Sequence, residues 1–262
     1  MLVFSAICPH PPILIPDIGK DNLKKIKDTF EAMKKLEQEL YAAKPDIILV
    51  ISPHGEIIHD AFCINLNSSY KADFEEFGDF TTKMEFKSSP PLALKIKERV
   101  EDELPIVLSS NEKLDHGAAV PLYYLTKHLK NIDIIPISYC LLDYDKHFKF
   151  GQLIKKEIAK SEKRIAVIAS GDLSHGLSKD APAGYIPSGA EFDNELITLL
   201  KRKDIRKILK MNHKLIEKAA ECGFRSFAIL FGIIEEYQFD VDVLSYEGPF
   251  GVGYLVANIK LV

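Results

Sequence analysis

The strongest constraint on this 262-residue chain is a set of short, almost wholly apolar runs, each ending abruptly in a polar residue. Ile47-Ile48-Leu49-Val50-Ile51 is the clearest, and it stops at Ser52-Pro53-His54. A strand with one face in water alternates apolar and polar residues. A run apolar at every position is buried on both faces, as in a sheet covered by helices on each side. Further strands are expected at Leu2–Ile7, Ala61–Asn67, Ile106–Ser109, Ile132–Ser138, Ile165–Ser170, Val241–Tyr246 and Gly253–Val262. Amphipathic stretches lie between them. In Asp21–Ala43, Leu23, Ile26, Phe30, Met33, Leu36 and Leu40 recur at helical spacing, with Asp21 as the expected N-cap and Pro45 as the stop. Helices are also expected at Pro91–Glu103, Val120–Leu129, Lys146–Lys160, Glu191–Leu200, Asp204–Met211 and Phe224–Tyr237. This alternation predicts an α/β fold, three-layer α/β/α with a central mixed sheet, in a single domain over residues 1–262. The polar, aromatic-rich stretch from Asn67 to Ser89 reads as an excursion containing an irregular hairpin.

Composition excludes several classes. Lys plus Arg number 34 and Asp plus Glu 38, interspersed, so the chain has no basic footprint for nucleic acid. The longest apolar run, Phe227–Ile234, is far short of the roughly 18 residues of a membrane span. Cys8, Cys63, Cys140 and Cys222 form no CxxC pair and suit free thiols in a reducing compartment. Met1-Leu2-Val3-Phe4 has no positive n-region, so no signal peptide is expected and a cytoplasmic location is.

The polar residues at the strand ends carry the chemistry. His10 follows the first run in Cys8-Pro9-His10-Pro11-Pro12, and His54 the second. His175 closes Ser170-Gly171-Asp172-Leu173-Ser174-His175, and Glu247 follows the Val241–Tyr246 run. In open α/β sheets ligands bind beyond the carboxyl ends of the strands, where such residues converge. His54, His116, His175 and Glu247 are each followed by glycine; with 14 glycines in the chain, chance gives its eight histidines fewer than one such pair. The prolines around His10 hold its backbone extended. His10, His54 and Glu247 suit the two-histidine, one-carboxylate set that binds non-haem Fe(II), and equally a catalytic Zn(II) site. His59, His128, His147 and His213 lie in polar or helical surroundings and are expected at the surface. Cys8 is expected to be a buried thiol. Ser174 lacks the GxSxG elbow of a serine nucleophile.

Five blocks, in order, resemble the LigB-type class III extradiol ring-cleavage dioxygenase superfamily. They are Cys8-Pro9-His10-Pro11-Pro12, Ser52-Pro53-His54, Asp115-His116-Gly117-Ala118-Ala119-Val120-Pro121-Leu122, Ser170 to His175, and Glu247-Gly248-Pro249-Phe250-Gly251-Val252-Gly253-Tyr254. The resemblance implies an oxidoreductase that opens a catecholic ring with dioxygen. It implies Fe(II) on His10, His54 and Glu247, with His175 as acid/base and His116 near a substrate hydroxyl. A homo-oligomer and a functional link to AMMECR-type and radical SAM proteins are further implications. The superfamily also contains Memo-like proteins, in which a cysteine replaces the carboxylate and function runs through binding or metal redox chemistry. A zinc hydrolase is the third reading of the same residues.

Overall fold

The computed structural model describes residues 1–262. In chain order its elements are β1 (Leu2–Cys8), α1 (Pro16–Gly19), α2 (Lys27–Ala43), β2 (Ile47–Ser52), β3 (Phe62–Asn65), β4 (Ser69–Phe74), β5 (Asp79–Ser88), α3 (Pro90–Glu101), β6 (Ile106–Ser109) and α4 (His116–Leu125). There follow β7 (Asp133–Ser138), α5 (Tyr144–Lys160), β8 (Ile165–Ser170), α6 (Gly189–Lys201), α7 (Ile205–Leu209), α8 (His213–Lys218), α9 (Phe224–Ile234), β9 (Phe239–Glu247) and β10 (Tyr254–Leu261).

The ten strands form one mixed sheet in the order β4-β5-β7-β2-β8-β1-β10-β9, with β3 on β7 and β6 on β3. β7, β2, β8 and β1 are mutually parallel, so their carboxyl ends share one edge. Register aligns those ends: Cys8 lies opposite Ser170, and Ser52 opposite Ser138. β10 runs antiparallel to β1, and β9 antiparallel to β10.

The apolar runs divide between two cores. Ile47, Leu49 and Ile51 pack into one with α3, α5, α6 and α9. Ile48 and Val50 pack into the other with α2 and α4. Every residue of β2 and β8 is buried, because helices cover both faces. This is the expected α/β/α sandwich. The Asn67–Ser89 excursion forms the β4–β5 hairpin, whose strands join the sheet beside β7.

The helix expected from Asp21 differs at its start. Residues Lys20–Ile26 form a 3-10 segment, and the α-helix begins at Lys27. Its first turn is capped from afar, since the Thr29 amide donates to Glu247 Oε1 at 2.6 Å. No helix is long and apolar enough to cross a membrane.

Candidate metal centre

His10 sits just past β1, where its backbone amide donates to Asp172 Oδ1 at 3.0 Å. Its Nδ1 lies 2.9 Å from Ser170 Oγ, and the Ser170 hydroxyl donates to the Gly117 carbonyl at 2.5 Å. A carbonyl can only accept, so the single hydroxyl proton of Ser170 is committed and His10 Nδ1 must carry the proton toward Ser170. Burial, together with the neighbouring His54, His116 and His175, holds the His10 pKa well below the usual histidine range, so the ring is neutral. The Nε2 lone pair of His10 is therefore bare and faces His54 and Cys222.

Two other donors meet it. His54 Nε2 lies 3.1 Å from His10 Nε2, and Cys222 Sγ lies 3.6 Å from it. All three ligand atoms fall within 4.8 Å of one another. A tetrahedral ion with bonds of about 2.05 Å to nitrogen and 2.3 Å to sulfur would separate its nitrogens by roughly 3.3 Å and nitrogen from sulfur by roughly 3.6 Å. The His10–His54 and His10–Cys222 spacings lie near those values, and the His54–Cys222 separation is within 4.8 Å. The chemistry matches as well: a bare imidazole nitrogen, a second imidazole whose pKa burial lowers to about 4, and a thiol. These residues fit a transition-metal ion.

The backbone explains how Cys222 arrives. It precedes α9, in a segment that crosses the chain leaving β8. The Cys222 and Gly223 amides both donate to the Asp172 carbonyl, at 3.3 and 3.1 Å. A Cβ on Gly171 would fall 2.1 Å from Gly223 Cα, so this crossing requires glycine on the β8 side. The Asp172 amide donates to Cys222 Sγ at 3.3 Å. Burial is the first cause that pushes the Cys222 thiol well up, with the charges of Asp172 and Glu221 adding to it.

Glu247, expected as the third ligand, has one carboxylate oxygen engaged by α2. Its carboxylate is turned to the Thr29 amide on α2 and is not among the converging donors. The antiparallel turn after β9 directs it toward α2, and an anion at a helix N-terminus is favourable there. The sequence did carry a signal for Cys222. Cys222-Gly223 obeys the same pattern of a ligand-type side chain followed by glycine that singled out His54, His116, His175 and Glu247.

His116 and His175 flank the centre. His116 stacks on His54, with ring centroids 4.2 Å apart, and Phe77 packs edge-on against His116 at 5.3 Å. Asp115 caps α4 through the Ala118 amide at 3.1 Å and accepts from the Ser52 hydroxyl at 2.5 Å. The His54 amide in turn donates to Ser52 Oγ at 3.2 Å. His175 is close enough for its charge to depress the pKa values of His10 and His54. Its Nδ1 is buried without a hydrogen-bond partner, and burial lowers its own pKa. Cys8 is a buried thiol, as expected.

Of the four histidines expected at the surface, His59, His128 and His213 are exposed. His147 is not. It is fully buried on α5, with its ring nitrogens 2.9 Å from the Asp143 carbonyl and 3.0 Å from the Cys140 carbonyl. A neutral ring carries one N–H, so it donates to one of these two carbonyls.

Beside His54 opens a groove of about 500 Å³, lined by polar groups including Ser52, Asn65, Asn111, Lys113, Asp115 and Ser138. It is bounded by the ends of β2, β3, β6 and β7, on the edge where the ligands meet.

Residues 5–257 match the family described as the catalytic LigB subunit of aromatic ring-opening dioxygenase. The chain belongs to the LigB family. Among its relatives, the protein CA_C1420 of Clostridium acetobutylicum is 34% identical across 97% of this chain, which spans 56% of that protein's length. The 4,5-DOPA dioxygenase extradiol of Beta vulgaris is 26% identical over 76% of this chain and 74% of its own. The 3,4-dihydroxyphenylacetate 2,3-dioxygenase of Escherichia coli is 25% identical over 74% of each chain. Among solved structures, the uncharacterized protein JW3007 of Escherichia coli K12 superposes with a TM-score of 0.70 at 16% identity, covering 98% of this chain and all of that one. That likeness shows a shared fold. The family match and the relatives support a dioxygenase-like enzyme.

Proposed function

We propose that this chain is a metal-dependent oxidoreductase of the extradiol type, opening a catecholic ring with dioxygen. The observation that carries this reading is the convergence of His10, His54 and Cys222 beside a groove, with two further neutral histidines against the centre. His10, His54 and Cys222 would hold the metal, Fe(II) on the ring-cleavage reading. A metal bound there supplies Lewis acidity toward a substrate hydroxyl and an electron path between ring and oxygen.

The chain's own residues supply the rest. The His10 tautomer is locked by Ser170, which keeps Nε2 available without a proton transfer. His175, neutral and with an unpartnered Nδ1, takes a proton from the substrate hydroxyl and returns it as the ring opens. His116, stacked on His54, supports the ligand ring and presents a hydrogen-bonding edge toward the substrate hydroxyls. The groove beside His54 receives the body of the substrate, and its serines and asparagines bind substituents by hydrogen bonds. Buried free thiols are consistent with a cytoplasmic enzyme.

The test is anaerobic loading with Fe(II), addition of a catechol panel, and admission of oxygen. Oxygen uptake with a ring-cleaved chromophore supports the reading. Full metal loading with no uptake on any catechol overturns it, and product formation that continues without oxygen identifies a hydrolase instead.

One observation favours a second reading. A thiolate is a softer donor than a carboxylate and suits Zn(II) or Cu(I), so a centre that uses Cys222 favours metal chemistry other than ring cleavage, although Glu247 keeps the position that a cysteine takes in the Memo-like branch. That reading predicts selection of zinc or copper over iron in competition, and no ring cleavage.

A further inference from the structure

Strand β5 is paired along its full length on one side only. Its ladder with β4 runs from Lys87 opposite Ser69 to Asp79 opposite Phe74, whereas on its other side it meets β7 only at Lys87 and Ser88. The Ser88 amide donates toward β4, to the Ser68 carbonyl at 3.4 Å. In an antiparallel ladder this direction alternates from residue to residue. Phe86 and Met84 therefore bond to β4 as well, while Lys87, Glu85 and Lys83 turn their amides and carbonyls outward. Lys71, opposite Glu85, has the matching phase: its amide and carbonyl bond on the far side of β4, to the Glu112 carbonyl and the Leu114 amide, each at 2.8 Å. Lys87 is taken up by β7. Lys83 and Glu85 instead line a groove of about 800 Å³ between β5 and the 126–132 segment that leads from α4 to β7. No turn or loop hydrogen bond reaches their backbone.

Such an edge is a template for another strand, and its own sequence selects which one. Outward-facing residues pair only with outward-facing residues, so β5 of a second copy, laid antiparallel on this edge, has few registers to choose from. Lys83 opposite Lys83, or Glu85 opposite Glu85, sets like charges together, which is destabilising. The remaining register sets Lys83 opposite Glu85, and the two-fold axis through Met84 then repeats the pair as Glu85 opposite Lys83. Each pair exchanges both N–H···O bonds and opposes unlike charges. Both side chains are exposed, and the bridge of Lys83 to Glu75 within its own copy, at 3.2 Å, lies at the surface and is readily exchanged. The same direction carries Phe80, at 69% the most exposed aromatic of the chain, toward the Leu129 and Ile132 end of the groove on the other copy.

We propose that the free edge of β5 is an interface between two copies of this chain, paired antiparallel about Met84 into one continuous sheet.

Sedimentation of the full chain tests it. The wild type is expected to dimerise, with a dissociation constant that rises with salt. Lys83→Glu places a carboxylate opposite Glu85 at both ends of the pairing and should weaken the dimer by about tenfold or more. Adding Glu85→Lys to that variant reverses both charges, keeps the register self-complementary and should restore the wild-type constant. A second measurement reads the register itself. Met84 is opposite its own copy in a non-hydrogen-bonded pair, whose Cα atoms stand about 4.5 Å apart, within reach of a disulfide. Mild oxidation of Met84→Cys should therefore link two copies, and Thr82→Cys, which the register sets opposite Phe86, should not be linked. The native Cys8, Cys63 and Cys140 are buried, so they do not compete. A chain that stays monomeric at every concentration overturns the proposal. So does a dimer that Lys83→Glu leaves unchanged or that the double reversal fails to restore, and so does a dimer linked as readily through Thr82→Cys as through Met84→Cys.

Discussion

Replacing Cys222 by alanine and, separately, Glu247 by glutamine distinguishes the ligand set expected from sequence, with Glu247, from the one the geometry brings together, with Cys222. Cys222 Sγ stands 3.6 Å from the bare His10 Nε2, whereas Glu247 Oε1 is held at 2.6 Å by the Thr29 amide. Losing a partner that merely orients a ligand costs about 10- to 100-fold in metal affinity. Losing the charged ligand itself should exceed the upper end, so Cys222→Ala is expected to weaken Zn(II) binding by more than about 100-fold, over roughly 2.7 kcal/mol. Protons add a second signature. The Cys222 thiol lies above its ordinary range, chiefly through burial, so a metal must displace its proton to bind. Wild-type affinity should therefore climb with pH through neutrality by up to about tenfold per unit. His10 and His54, already neutral there, add nothing to that slope. Cys222→Ala loses the slope along with the affinity. Glu247→Gln keeps an oxygen for Thr29 and loses only the charge at the start of α2, worth about 0.3–1 kcal/mol of stability. Its metal affinity should stay within twofold of wild type. Competition against a chromophoric chelator measures affinity, and Co(II) substitution reports a thiolate directly through its charge-transfer absorption. Wild-type affinity in Cys222→Ala, with loss in Glu247→Gln, would refute this account and restore the carboxylate ligand.

Three further outcomes are expected. His175→Ala should retain metal within a few-fold but lose about 10²–10⁴ in catechol turnover, measured by oxygen uptake, because a positioned acid/base contributes on that order; a wild-type rate would remove its role. Gly171→Ala places a Cβ 2.1 Å from Gly223 Cα, backbone against backbone, and should cost about 1–3 kcal/mol in thermal or urea unfolding while also weakening metal binding; a wild-type melting curve contradicts the crossing. His147 is the pH-sensitive element away from the centre. Burial lowers its pKa to about 4, against the opposing pull of the Asp143 and Cys140 carbonyls. Between pH 6.5 and 4 the unfolded chain binds the extra proton, so His147 destabilises the fold as pH falls through that window, by at most about 3 kcal/mol. The cost of His147→Gln, which does not titrate, should then be smaller at pH 4.5 than at pH 7 in urea unfolding, and equal costs would be inconsistent with a buried neutral ring.

Much of the architecture follows from local sequence. Ile47–Ile51 reads as a doubly buried strand because both faces are apolar, and the fold sends alternate residues into two separate cores. His10 and His54 are legible as ligands because each directly follows such a strand, and parallel strands in register bring their ends to one edge. The start of α2 is less legible, because the Thr29 amide in its first turn is satisfied by Glu247, 218 residues away, rather than by a local cap. His147 misleads because its polar sequence neighbours do not show that α5 turns the ring inward against the Cys140 and Asp143 carbonyls.

Local sequence therefore sets the layered sheet, the edge at which chemistry gathers, and the placing of His10 and His54 together at that edge. These depend on periodicity and on residues adjacent to a strand end, which are local properties. Tertiary structure alone decides which further side chain lies beside His10 and His54. Glu247 and Cys222 both precede glycine and both bear ligand atoms, and nothing local ranks one above the other. The choice is made where the chain after β8 crosses the segment before α9, with Gly171 against Gly223, which carries the thiol to His10 while the turn after β9 delivers the carboxylate to α2. Long-range backbone packing sets that contact, and no spacing along the chain encodes it.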